Sequence, residues 1–214
     1  MPVAKRADDE VVLLLHGLWM NRAAMLYLAR SLASRGFRTH TVGYLSTMRD
    51  FERNAALVGR AIASAAGTAV HVVAHSLGGM ICLRALERLP EHRVRRIVLL
   101  GAPIAGCAGG RQLAESRWGA VLLGATRSLW LAMPRLHIPD SVEVGAIAGT
   151  WRFGLGRLLV RVTPPHDGVV TVEETRHPRL ADHIVLPVAH SQMLISGLVA
   201  SQVAAFLSAG RFVR

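Results

Sequence analysis

The chain has 214 residues, 51% of them hydrophobic, which suits a single domain with a sizeable core. Its formal net charge is +11, but the basic residues are scattered, and the densest cluster is Arg93, Arg95 and Arg96, so no nucleic-acid partner is expected. The basicity fits attraction to an anionic membrane or an acidic substrate, and equally a solvated basic surface.

Strand-like and helix-like patterns alternate along the chain, which predicts an α/β fold: a mostly parallel central sheet with helices on both faces. The opening stretch, MPVAKRADDE, has no apolar signal core, so a cytoplasmic location is expected, although a mature exported chain would begin the same way. Val11–Leu15 is an unbroken aliphatic run, as in a buried parallel strand. Arg22–Arg35 has helical spacing, with Asn21 as N-cap and Gly36 as the stop. Arg38–Val42 reads as a strand, Asp50–Ala66 as a helix stopped by Gly67, and Val70–Ala74 as a strand. Leu77–Leu89 reads as a helix ended by Pro90, and Val94–Leu100 as a strand. Between residues 104 and 139 the pattern changes. Gln112–Met133 looks helical and unusually apolar, and it contains Trp118 and Trp130. It is either an enlarged crossover helix or a small lid over a pocket. Glu143–Ala148 and His183–Val188 are further strands, and Gln192–Leu207 is a helix. Ile184–Gly210 lacks charged residues over a span long enough to cross a bilayer, but Pro187, His190, Ser191 and Gln192 interrupt it. It reads better as strand, loop and helix.

The segment Val72 to Gly79 joins a strand to a helix, with Ser76 at the turn. A serine placed there projects its hydroxyl clear of the sheet edge, and the strained turn needs small neighbours. Ala74 and Gly78 supply them, in a G-x-S-x-G arrangement with Ala in the first small position. The bland alternative is a serine that merely caps a helix. His75 adjoins Ser76, so its ring is expected to pack beside the turn and not to act as base.

An acyl-transfer intermediate carries an oxyanion that needs two fixed N–H donors. Leu77, just after the serine, and Leu18, just after His16-Gly17 at the end of the first strand, are the expected donors. His16 is expected to brace that loop by hydrogen bonding. Trp19 is expected either to line the substrate pocket or to pack in the core, and Trp118 and Trp130 are further candidates for substrate contact. The base is expected at His190, which follows the strand His183–Val188, with His166, His177 and His183 as competitors. The acid is expected at Asp167 in Pro164-Pro165-His166-Asp167-Gly168, with Asp140, Asp182 and Glu173 as alternatives. The bland reading of Asp167 is a plain Asp-Gly turn. Cys82 and Cys107 form no C-x-x-C, so neither a disulfide framework nor a metal site is expected.

With these residues in place, the chain from Val11 to Leu207 resembles the α/β-hydrolase superfamily, in particular small bacterial lipases and esterases. The features that carry the resemblance are His16-Gly17-Leu18, Ala74-His75-Ser76-Leu77-Gly78, Gly101-Ala102-Pro103, Asp167-Gly168-Val169-Val170 and His190. The resemblance implies an α/β-hydrolase fold with a small cap or none. It also implies hydrolysis of carboxylic esters with no metal or organic cofactor, but it does not fix the substrate; the apolar Gln112–Met133 segment suggests an acyl-chain pocket, and so medium-chain or lipid-like acyl esters. A thioesterase, an acyltransferase or a catalytically silent binding protein would share the same features. The oligomeric state is not legible in the sequence.

Overall fold

The long aliphatic strands explain the architecture, because each must bury both of its faces. A computed structural model describes residues 10–153 and 163–214. The span searched for a signal core thus lies almost wholly outside the described residues. Among the described residues, six parallel strands form one sheet in the order β2-β1-β3-β4-β5-β6. They are β1 (Glu10–Leu15), β2 (Arg38–Val42), β3 (Ala69–His75), β4 (Val94–Leu100), β5 (Glu143–Gly149) and β6 (Asp182–Leu186). Each lies within two residues of its expected bounds.

Side chains alternate across a strand, so an all-apolar strand feeds two cores. Val11, Leu13 and Leu15 of β1 join one core, which is covered by α2 (Phe51–Ser64) and α3 (Leu77–Glu87). Val12 and Leu14 join the other, under α1 (Leu26–Ala33) and a helix near the C-terminus, Gly197–Ala209, labelled α7 below. Each fully buried Leu in these cores contributes roughly 1.5–3 kcal/mol of hydrophobic stabilisation. The edge strand β2 is more exposed and carries Arg, Thr and His, as an edge permits.

Local signals set the helix ends. Asn21 Oδ1 accepts from Ala23 N at 2.8 Å, as expected of the cap, and opens a 3-10 turn that leads into α1. Asp50 Oδ1 accepts from Arg53 N at 2.7 Å and caps α2. The apolar stretch Ile184–Gly210 divides into β6, a 3-10 turn and α7, and among the described residues no helix is long and apolar enough to cross a membrane.

The segment Gln112–Met133 departs from expectation. It is not one helix but α4 (Ala108–Glu115), α5 (Gly119–Leu123), a 3-10 turn and α6 (Arg127–Ala132). Ser116 is extended and ends α4. Gly119 sits so close to α4 that a Cβ there would lie 2.5 Å from the Ala114 carbonyl oxygen. Gly124 takes φ +53° against Thr47, where a side chain would collide with the Thr47 carbonyl. Three short helices therefore pack on one another, and Leu113, Leu123, Leu129 and Trp130 face inward to the core.

Candidate active site

In a parallel sheet all strands end on the same side. Ligand sites of open α/β sheets lie outside those carboxyl ends, where the strand order reverses. Here the reversal falls between β1 and β3. The loop with Leu18 follows β1, Ser76 follows β3, and His190 follows β6.

Ser76 has φ +53° and ψ −123°, a region that non-glycine residues occupy only under constraint. Its neighbours enforce it. The Ser76 amide donates to Leu100 O at 2.9 Å, which extends the β3–β4 ladder into the turn. A Cβ on Gly78 would lie 2.5 Å from His16 O, and one on Gly79 would lie 2.6 Å from Ala102 Cβ. A Cβ on Gly17 would lie 3.2 Å from Ser76 Cβ, so the loop after β1 rests directly beside the serine. That loop is braced by His16. Its Nδ1–H donates to Gly17 O at 2.9 Å, its Nε2 accepts from Tyr44 N at 3.4 Å, and its ring stacks on Tyr44 with centroids 4.1 Å apart. The Tyr44 hydroxyl donates to the His16 carbonyl. Among the described residues, neither the Leu18 nor the Leu77 amide donates to another protein group.

His190 Nδ1–H donates to Asp167 Oδ2 at 2.7 Å. The other carboxylate oxygen of Asp167 accepts from Val170 N at 2.8 Å and Val169 N at 3.0 Å. Burial alone would raise the Asp167 pKa. The imidazole of His190 and the two amides outweigh burial and hold the group below the usual carboxylate range. Gly101, at φ +54°, leaves room for the pair, since a Cβ there would lie 2.9 Å from Asp167 Oδ2 and 3.0 Å from His190 Nδ1. The competing residues are engaged elsewhere. His183 bonds Thr175 Oγ1, His166 Nδ1 accepts from Gly168 N, and His177 Nδ1 accepts from Arg179 N. Asp182 pairs with Arg214, Asp140 with Arg179, and Glu173 with Arg176.

Ser76 and His190 line the same pocket, of about 430 Å³. That volume suits a small-molecule ligand. Among the described residues Ser76 Oγ makes no hydrogen bond to His190. The pocket wall is largely apolar, with Leu18, Pro103, Leu113, Leu123, Trp130 and Val170 in it. Trp19 and Trp130 are among the residues that line it. Trp118 is not. It lies at the start of α5, more than half exposed, beneath the guanidinium of Arg117 at 5.3 Å. Sequence reasoning missed Cys107, Phe153 and Val169, which also line the pocket. Burial pushes the Cys107 thiol up to about 12, so it remains a neutral part of the wall.

His75 is buried against this site. Its Nε2–H donates to the His190 carbonyl at 3.0 Å, and the two rings lie 4.6 Å apart. The histidine beside the serine thus contacts the loop of His190 and leaves the His190 side chain free to face the pocket.

No curated protein matches the chain. Its fold is similar to that of the lipase BlEst2 from Bacillus licheniformis in mature form, with TM-score 0.78, 17% identity, and 94% of this chain and 91% of that one covered. It is also similar to the carboxylesterase CesB (YbfK) from Bacillus subtilis, with TM-score 0.57, 18% identity, and coverage of 94% and 84%. The metagenomic carboxyl esterase MGS0156 gives TM-score 0.62, 19% identity, and coverage of 88% and 66%. At these identities the likeness is one of fold. The profile of the Alpha/beta hydrolase family matches residues 12–205, and with the parallel sheet and the turn at Ser76 it establishes that the chain belongs to the α/β-hydrolase family.

Proposed function

We propose that the protein is a serine hydrolase that cleaves carboxylic esters with medium-chain or lipid-like acyl groups. The observation that carries this reading is the 2.7 Å bond between His190 and Asp167, at the wall of an apolar pocket that also holds Ser76 on its strained turn. The names of the structural neighbours, a lipase and two carboxylesterases, support it.

The chemistry runs in two steps. The Ser76 hydroxyl passes its proton to His190 Nε2, and Oγ bonds to the ester carbonyl carbon. The oxyanion accepts from the Leu18 and Leu77 amides. Leu77 also opens α3, where the helix dipole favours negative charge. As the carbon–oxygen bond breaks, the His190 proton goes to the leaving alkoxide, and an acyl-Ser76 remains. Water then gives a proton to His190 and adds to the acyl carbon. Collapse of that intermediate returns the proton to Ser76 Oγ and frees the acid. Asp167 keeps the proton of His190 on Nδ1, so that Nε2 presents a lone pair to the serine.

The test is hydrolysis of a p-nitrophenyl ester series by the wild-type protein and by Ser76→Ala. Activity is expected in the first and not in the second. Equal activity in both would refute the mechanism.

A further inference from the structure

Trp19 directly follows the proposed oxyanion donor Leu18, and its backbone is left-handed, with φ +58°. A bulky residue stays in that region only when its surroundings hold it there. Two bonds do so. The Trp19 amide donates to Ser46 Oγ at 3.2 Å, and the indole Nε1–H donates to Leu122 O at 2.6 Å. The second bond spans 103 positions of sequence and ends on α5. The next residue of α5, Leu123, is buried and forms part of the pocket wall. The 3-10 turn that follows α5 is tied to the same place, because Ala125 N donates to Thr47 O at 2.8 Å, beside Ser46. The pocket wall, the Leu122 carbonyl, the indole and the backbone at Leu18 therefore form one continuous chain of contacts.

We infer that Trp19 is a positioning residue that couples the acyl-binding wall to the oxyanion hole, and that it makes turnover sensitive to acyl-chain length. The inference rests on Leu18 serving as an oxyanion donor. An acyl chain long enough to pack on Leu123 holds α5 where its Leu122 carbonyl receives the indole. The indole then holds Trp19 in its left-handed conformation and the Leu18 amide toward the reacting carbon. A short acyl group leaves Leu123 uncontacted and gains nothing from the coupling. Chain length accordingly acts on kcat as well as on KM, because the packing of the acyl chain sets binding while the indole bond supports the transition state.

The experiment measures kcat and KM on p-nitrophenyl acetate, butyrate and octanoate for the wild type, Trp19→Phe, Ser46→Ala and Ser76→Ala, with thermal melting of each. Trp19→Phe keeps an aromatic ring in the wall and removes the indole donor. It is expected to lower kcat on octanoate by about five- to tenfold, the range of one net hydrogen bond, with KM unchanged and a smaller effect on acetate. Ser46→Ala releases the other tie and is expected to flatten the dependence of kcat on chain length in the same way. Wild-type kcat in Trp19→Phe across the series overturns the inference, and so does a loss of equal size on all three esters. If Trp19→Phe does not melt cooperatively, Ser46→Ala decides by the same criteria. Activity retained in Ser76→Ala would instead overturn the underlying mechanism. An inactive Ser76→Ala beside an unaffected Trp19→Phe overturns the coupling alone.

Discussion

His75 makes the protein sensitive to acid in a way that can be calculated. The residue is fully buried, and among the described residues its Nδ1 has no partner while its Nε2–H is bonded to the His190 carbonyl. Burial, and then the proximity of His190, push its pKa from 6.5 down to about 3. In the unfolded chain the imidazole takes up a proton as the pH falls through 6.5, whereas in the folded protein it stays neutral until about 3. The stability is fully present above 6.5 and is lost progressively as the pH falls toward 3. At about pH 5 the unfolded state is favoured by roughly 1.5 pKa units, which is about 2 kcal/mol. His75→Gln keeps an N–H donor for the His190 carbonyl and cannot titrate. Urea unfolding of both proteins at about pH 7.5 and about pH 5 measures the difference. The wild type is expected to lose about 2 kcal/mol more than the variant between the two conditions. An equal loss in both would show that burial does not hold His75 neutral in the folded protein.

Two other substitutions test the geometry around the pocket. Gly101→Ala forces a side chain into a left-handed position against Asp167 and His190, so it is expected to destabilise the protein by about 1–3 kcal/mol and to abolish ester hydrolysis; wild-type activity would refute the proposed role of the pair. Trp130→Ala empties a buried part of the pocket wall and is expected to cost about 3–5 kcal/mol in denaturant unfolding, while shifting the preferred ester toward longer acyl chains; an unchanged chain-length profile would remove Trp130 from the acyl site.

The legible parts of the fold were those whose local sequence has one physical solution. Val11–Leu15 is apolar at every position because successive residues enter opposite cores. The turn at Ser76 was legible because Ala74 and Gly78 are small, and Gly78 stands where Leu15 and His16 crowd it. The region 112–133 was not legible as three helices. Its apolar spacing is the same whether the helix runs on or breaks, and the break at Gly124 is set by Thr47, remote in sequence. Trp118 and Trp130 looked equivalent in sequence, yet only packing against α4 separates them: a Cβ on Gly110 would collide with Trp130, while Trp118 lies at the outward start of α5. Phe153 and Val169 reach the pocket from irregular segments, after β5 and beside Asp167, where no periodic pattern marks which side chains face inward. The left-handed Trp19 was equally hidden, since its conformation depends on Ser46 and Leu122.

The bonds of α4 tie the helices over the pocket to the loop that carries Asp167. The Glu174 carboxylate accepts from the Ala108 amide at the start of α4, and its other oxygen accepts from Thr171 N at 2.8 Å. The Glu174 carbonyl accepts from Ala105 N at 3.0 Å. Glu174 Oε2 thus reaches back to the loop that begins at Asp167, where the Asp167 amide itself donates to Val170 O at 3.1 Å. An acidic side chain at a helix start is stabilised by the free amides and the dipole there. One end of the pocket wall is therefore bonded to the segment that orients His190, and its middle is bonded through Trp19 to the segment that carries Leu18. A displacement of the wall would break charge-assisted and indole bonds at both places, and each break falls next to a group assigned to the reaction. The wall proposed to receive the acyl chain is thus bonded both to the loop of Asp167 and, through Trp19, to the loop of Leu18.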